Sequence, residues 1–192
     1  MKIVIAMVLV GCAAQRELPR DARTGGNGDA SGSNPDQPDA DHSDTNCGAW
    51  QVGTLTGYNN SNLADDPNAG SVMEFRGLTD PFYDHVDMAA VDMSDWDGDK
   101  YHWIDVDREG VIGRVGVWDA CANDDCPDGQ QCCTDNKQLF AQPGYLVDVE
   151  TRTAERLWGV SDGEDTLRDK IMYRVCGTFD PDAIAEMYGA HR

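Results

Sequence analysis

The residues best suited to chemistry are two carboxylates set in strand-like runs. Asp119 closes the apolar stretch Arg114-Val115-Gly116-Val117-Trp118-Asp119-Ala120-Cys121, and Asp148 sits within Leu146-Val147-Asp148-Val149, just ahead of a helix signal. Ionised carboxylates accept hydrogen bonds or exchange protons. His85 and His102 are the candidate acid–base partners, but neither falls in a ligand spacing, and an ordinary satisfied histidine is the default for each. A tight acidic cluster, Asp92, Asp95, Asp97, Asp99, Asp105 and Asp107, invites a calcium reading. It fails the EF-hand pattern, because Gly98 as the sixth position makes Met93 the first and Ile104 the twelfth.

Seven cysteines are present: Cys12, Cys47, Cys121, Cys126, Cys132, Cys133 and Cys176. Setting Cys12 aside leaves an even six, which suggests three disulfides in an exported domain. Sequence leaves 15 pairings open, and the adjacent Cys132 and Cys133 must take different partners. A zinc site would need paired Cys-x-x-Cys knuckles, which this spacing lacks. No metal and no cofactor is implied.

These residues belong to a chain of 192 residues with 15 basic and 35 acidic side chains, a formal charge of −20. That charge repels phosphate backbones and anionic membrane surfaces, so no nucleic-acid partner is expected. Leu9-Val10-Gly11-Cys12, after Lys2 and a short apolar run, looks like a bacterial lipobox, with Cys12 the lipidated residue. The run is too short to span a membrane, which takes about 20 apolar residues. Residues 1–12 are therefore read as a lipoprotein signal peptide, leaving the lipid as the only membrane attachment. The Gly-, Ser-, Asn-, Asp- and Pro-rich residues 13–46 read as a disordered acidic linker.

Residues 47–177 alternate short β-like runs with turns. A strand is expected over 50–58, a small-residue strand over 86–91, and a hairpin from Tyr101–Val106 through the turn Asp107-Arg108-Glu109-Gly110 to Val111–Trp118. Further strands are expected over 145–149 and 170–175. Residues 59–71 read as a loop. Thr151 is expected to cap a helix that ends at Trp158-Gly159. Asp180-Pro181 should open a last helix, within residues 178–192, packing Ile184, Met187 and Tyr188 on the fold and stopping at Gly189.

In four ordered pieces the chain resembles the expansin and rare-lipoprotein-A families. The pieces are Gly53-Thr54-Leu55-Thr56-Gly57-Tyr58; Met88-Ala89-Ala90-Val91-Asp92-Met93-Ser94-Asp95-Trp96; Val117-Trp118-Asp119-Ala120-Cys121; and Leu146-Val147-Asp148-Val149 with its helix, followed by the closing strand to Cys176. The resemblance implies a mainly β fold, a six-stranded double-psi β-barrel with short helices, over about two thirds of the chain. Residues 122–144 depart from it as a long cysteine-rich loop insertion. The second, sugar-binding domain of expansins has no counterpart in the 16 residues after Cys176.

The resemblance further implies a cell-wall polysaccharide partner, a cellulose-like glucan or peptidoglycan. Asp119 and Thr56 are the implied polar groove residues, and Asp148 supports the groove or fixes the helix start. Tyr58 and Trp96, in polar turn-like surroundings, are the candidates for stacking on sugar rings. Trp103 and Trp118 are read as core, Trp118 because strand alternation sets it opposite Asp119. Glycoside hydrolysis takes two carboxyl groups, and no Asp or Glu occurs from Ala49 to Leu63. The expectation is therefore an exported, lipid-anchored protein of the outer membrane or cell surface that binds and loosens wall glycan without hydrolysis. The alternatives are a lytic transglycosylase or endoglucanase, recruiting Glu74 or an Asp of the 92–99 cluster, and a disulfide-stapled interaction scaffold.

Overall fold

The computed structural model describes residues 46–62, 70–126, 130–161 and 166–192. The signal peptide, the lipidation of Cys12 and nearly all of the acidic linker lie outside the described residues.

Six strands close a barrel in the order β1 (Gln51–Tyr58), β7 (Leu146–Glu150), β4 (Met88–Asp92), β6 (Val111–Cys121), β5 (His102–Arg108), β8 (Arg168–Thr178). The pairs β1–β7 and β4–β6 are parallel and the other four antiparallel. This closed mixed barrel, with short helices and a disulfide-bearing loop, is the architecture expected of an expansin-like double-psi barrel.

Alternation along the strands divides the barrel into an inner and an outer face. Leu55, Ala89, Val91, Ile104, Val106, Val115, Val117, Val147, Val149 and Ile171 fill the interior. Along β8 this is plain: Ile171 and Tyr173 are buried, while Arg168, Lys170 and Met172 are exposed. The β5–β6 hairpin forms as the sequence indicates. Its turn holds Glu109 at φ 54° and Gly110 at φ 88°, and Asp107 Oδ1 accepts from the Gly110 N–H.

A second apolar layer lies outside the barrel. It joins the small hairpin β2 (Ser71–Val72) and β3 (Phe75–Arg76), helix α1 (Asp80–His85) and the last helix α5 (Pro181–Met187) to Met88 and Trp118 of the barrel wall. Phe82 meets Trp118 edge-on at 5.1 Å. Gly116 is needed beneath this layer, since a Cβ there would lie 2.9 Å from the Phe179 ring. Helix α4 (Thr151–Trp158) is tied to α1 by Arg152, which pairs with Asp80 and Asp84, and by Arg156, which donates to the Tyr83 carbonyl and pairs with Asp87 just beyond α1.

The three disulfides are Cys47–Cys176, Cys121–Cys133 and Cys126–Cys132. The first joins the segment just ahead of β1 to β8. The other two fold the insertion, with helix α3 (Cys132–Lys137), onto β1, β4 and β7, where Cys126 and Cys133 bury Leu146. All six thiols are thereby consumed, and three disulfides mark an oxidising compartment.

Local readings differ from the structure in four places. The cap of α4 is Glu150 rather than Thr151: its carboxylate accepts from the Arg152 and Thr153 N–H groups. Residues 93–99 form a helix, α2 (Met93–Asp99), capped by Asp92, where a polar turn was expected. The loop expected over 59–71 gives way at Ser71 to the unforeseen β2–β3 hairpin. Helix α5 forms with its Asp180 cap and packs Ile184, but Met187 points to solvent, 59% exposed.

Candidate functional site

Strand register lines up Thr56 of β1, Asp148 of β7, Ala90 of β4 and Asp119 of β6 in one rung across four adjacent strands. Paired residues in a ladder point to the same face, so all four side chains stand on the outer wall. At about 4.8 Å per strand, Asp119 and Asp148 are roughly 10 Å apart at their backbones.

Asp119 reaches this face because of a bulge. Val117 pairs with Ala89 but Asp119 pairs with Ala90, which leaves Trp118 as an extra residue. A bulge of this kind turns two successive side chains outward. Trp118 enters the outer apolar layer and is fully buried, while Asp119, partly exposed, accepts from the Met73 N–H of the β2–β3 hairpin at 2.9 Å. Trp118 is core, as is Trp103, but simple alternation is overturned: Trp118 and Asp119 share one side of the wall.

The rungs on either side explain why this one is the candidate strip. Towards one end, Leu146 and Cys121 are covered by the disulfide-bonded insertion. There Lys137 of α3 pairs with Asp92 and Asp95. Towards the other end, Tyr58 pairs in register with Glu150, and Met88 lies under the outer layer. The rung of Thr56, Asp148, Ala90 and Asp119 lies between these two, with Thr56, Ala90 and Asp148 buried and Asp119 partly exposed.

Thr56 donates its hydroxyl to Asp148 Oδ1 at 2.7 Å, and both side chains are buried. Asp119 and Asp148 thus share one wall. Tyr58 is half-buried, and its hydroxyl is buried and has no hydrogen-bond partner among the described residues. Burial first, then the charges of Asp119, Glu150 and Asp148, push that phenol well above its ordinary value. Glu150 is fully buried, and burial raises its carboxyl, opposed by Ser61 and by the N–H groups of Arg152 and Thr153. Glu150 was missed in the sequence, although the two-residue period sets it on the same strand face as Asp148.

Trp96 is corrected as a binding candidate. It is 5% exposed and joins the barrel core, its ring edge-on to Tyr101. The other expected acids are engaged elsewhere. Glu74 accepts from the Tyr101 hydroxyl and pairs with Lys100 and Arg192, and the Tyr101 bond foremost lowers its carboxyl. Asp92 caps α2, and Asp99 accepts from the Tyr145 hydroxyl. His85 stacks on Tyr188, and His102 lies beside the Lys100 carbonyl, so neither histidine belongs to the strip.

No family model matches the chain, and no curated protein matches it. Among solved structures it is similar to the crystal structure of the apo expansin of Clavibacter michiganensis, with 18% identity and a TM-score of 0.38. The likeness covers 69% of this chain and 52% of that one, so this chain spans about half the length of that expansin.

Proposed function

We propose that the outer-wall strip is a glycan-binding surface and that the protein acts on cell-wall polysaccharide in the expansin manner, binding and loosening without hydrolysis. The observation that carries this reading is the Thr56–Asp148 hydrogen bond within a rung that also holds Asp119. A carboxylate fixed by a neighbouring hydroxyl keeps its other acceptor positions oriented, and two acceptors on one wall suit the hydroxyl array of a sugar chain. Tyr58, in register with Glu150 beyond Asp148, flanks the strip. The three disulfides support work outside the cytosol, and the lipobox-like Leu9-Val10-Gly11-Cys12 supports a lipid tether at Cys12.

The test is sedimentation with insoluble cellulose, xylan, chitin and peptidoglycan, with reducing ends measured in the supernatant. Binding to at least one polymer without release of sugar supports the reading, and absence of binding to all four overturns it.

One observation favours a second reading, bond cleavage. Asp119 and Asp148 on one rung form the carboxyl pair a glycosidase or transglycosylase needs. Soluble fragments that disappear in both Asp119→Asn and Asp148→Asn would establish it.

A further inference from the structure

The rung that holds the two acids does not end at Thr56. On its other side β1 pairs with β8, setting Arg168 opposite Thr56 and Lys170 opposite Thr54. The wall therefore reads Arg168, Thr56, Asp148, Ala90, Asp119 across five strands, roughly 19 Å at about 4.8 Å per step. Arg168 and Lys170 are both exposed and stand on the outer face by the alternation of β8.

These two cations differ from the others in the fold. Arg174, on the same stripe, is committed to Asp105 and lies 4.8 Å over the Trp50 ring. Arg108 pairs with Asp169, Arg114 with Asp105, Arg152 with Asp80 and Asp84, and Arg156 with Asp87. Lys100, Lys137 and Arg192 pair with Glu74, Asp95 and Asp182, and Arg76 is spent on the carbonyls of Val72 and Phe75. Among the described residues, Arg168 and Lys170 have no acidic partner.

Building on the glycan-binding reading, we propose that Arg168 and Lys170 form a subsite for the carboxylate of an acidic glycan, so that the polymer held on the strip is a carboxylate-bearing polysaccharide rather than a neutral one. The guanidinium of Arg168 offers a paired-donor fork that matches a carboxylate. Asp148 and Asp119, further along the rung, take the hydroxyls of the same chain. The net charge of −20 does not forbid this. At physiological salt, charges are screened beyond about 8 Å, so an acidic polymer meets the local cations rather than the whole surface.

Affinity electrophoresis of the full chain through gels carrying either polygalacturonate or a neutral β-glucan tests the subsite. The wild type should be retarded more by polygalacturonate, and the difference should shrink at high salt. The doubly substituted Arg168→Gln, Lys170→Gln protein should lose about tenfold or more in affinity for polygalacturonate, the worth of one charge-assisted contact. Its affinity for β-glucan and its melting temperature should stay unchanged. Asp148→Asn should weaken binding to both polymers. Unchanged polygalacturonate binding in the double variant overturns the subsite while leaving the glycan surface intact, as does a wild-type preference for β-glucan. If Asp148→Asn binds both polymers as the wild type does, the underlying glycan reading fails.

Discussion

Thr56 and Asp148, 92 positions apart in sequence, are joined by a 2.7 Å hydrogen bond between the parallel strands β1 and β7. The bond ties the strand that opens the barrel to the strand that leads into α4. It holds one acid of the strip in a fixed direction at a place where little water reaches it.

Replacing Thr56 by Val keeps the shape of the side chain and removes its hydroxyl. The buried carboxylate of Asp148 then loses a donor, at a cost of about 1–3 kcal/mol. Denaturant titration should show that loss, and polymer sedimentation should show weaker binding even under conditions where the variant is fully folded.

Glu150 gives the stability a pH dependence of known sign. Burial raises its folded-state value above the ordinary 4.5, so the folded state holds the proton longer than the unfolded chain does. Stability from this group is fully present below about 4.5 and declines as pH rises through the folded value. Asp87 is shifted in the same direction by burial, so the wild-type curve alone does not separate the two. The difference between Glu150→Gln and wild type does: the variant should gain relative stability as pH rises above about 4.5. Thermal melting across that range checks it, and a flat difference would show that Glu150 does not titrate differently on folding.

Asp105 lies 3% exposed between the guanidinium groups of Arg114 and Arg174, on the wall near Cys47–Cys176. Asp105→Asn leaves two half-buried cations beside each other without that counter-charge. Because the remaining charges reach solvent in part, the expected cost is below the about 3–5 kcal/mol of a fully buried broken pair. Chemical denaturation measures it, and the strip's side chains are untouched by the change.

The Cys47–Cys176 bridge closes a loop with a sequence separation of 129 residues. Converting both cysteines to serine releases that constraint on the unfolded chain and should cost about 2–5 kcal/mol. The bridges of the insertion close short loops of 12 and 6 residues, so their removal should lower global stability less. Comparing melting temperatures of the three double variants tests the ranking.

What the sequence disclosed was whatever local pattern controls. The β5–β6 hairpin was legible from alternation and the Glu109-Gly110 turn. The last helix was legible from Asp180-Pro181, and the stop of α4 from Gly159, which adopts φ 69°. Residues proposed for the site were named from the sequence, but their geometry was not legible there. The bulge that turns Trp118 and Asp119 to one side is imposed by pairing with β4, which no local window contains. The pairing of Asp148 with both Thr56 and Ala90 is equally long-range, so its place beside Asp119 was hidden. Trp96 misled because Ser94, Asp95, Asp97 and Gly98 read as a turn. The Asp92 cap makes these residues part of a short helix whose Trp96 side chain reaches the barrel core.

The most direct measurement is the polymer-binding isotherm of Asp148→Asn beside that of the wild type, with melting curves to establish that both are folded. If the strip is the glycan surface, the variant binds at least about tenfold more weakly, since one charge-assisted contact is worth that much. A folded Asp148→Asn protein whose isotherm overlays the wild type would contradict the account.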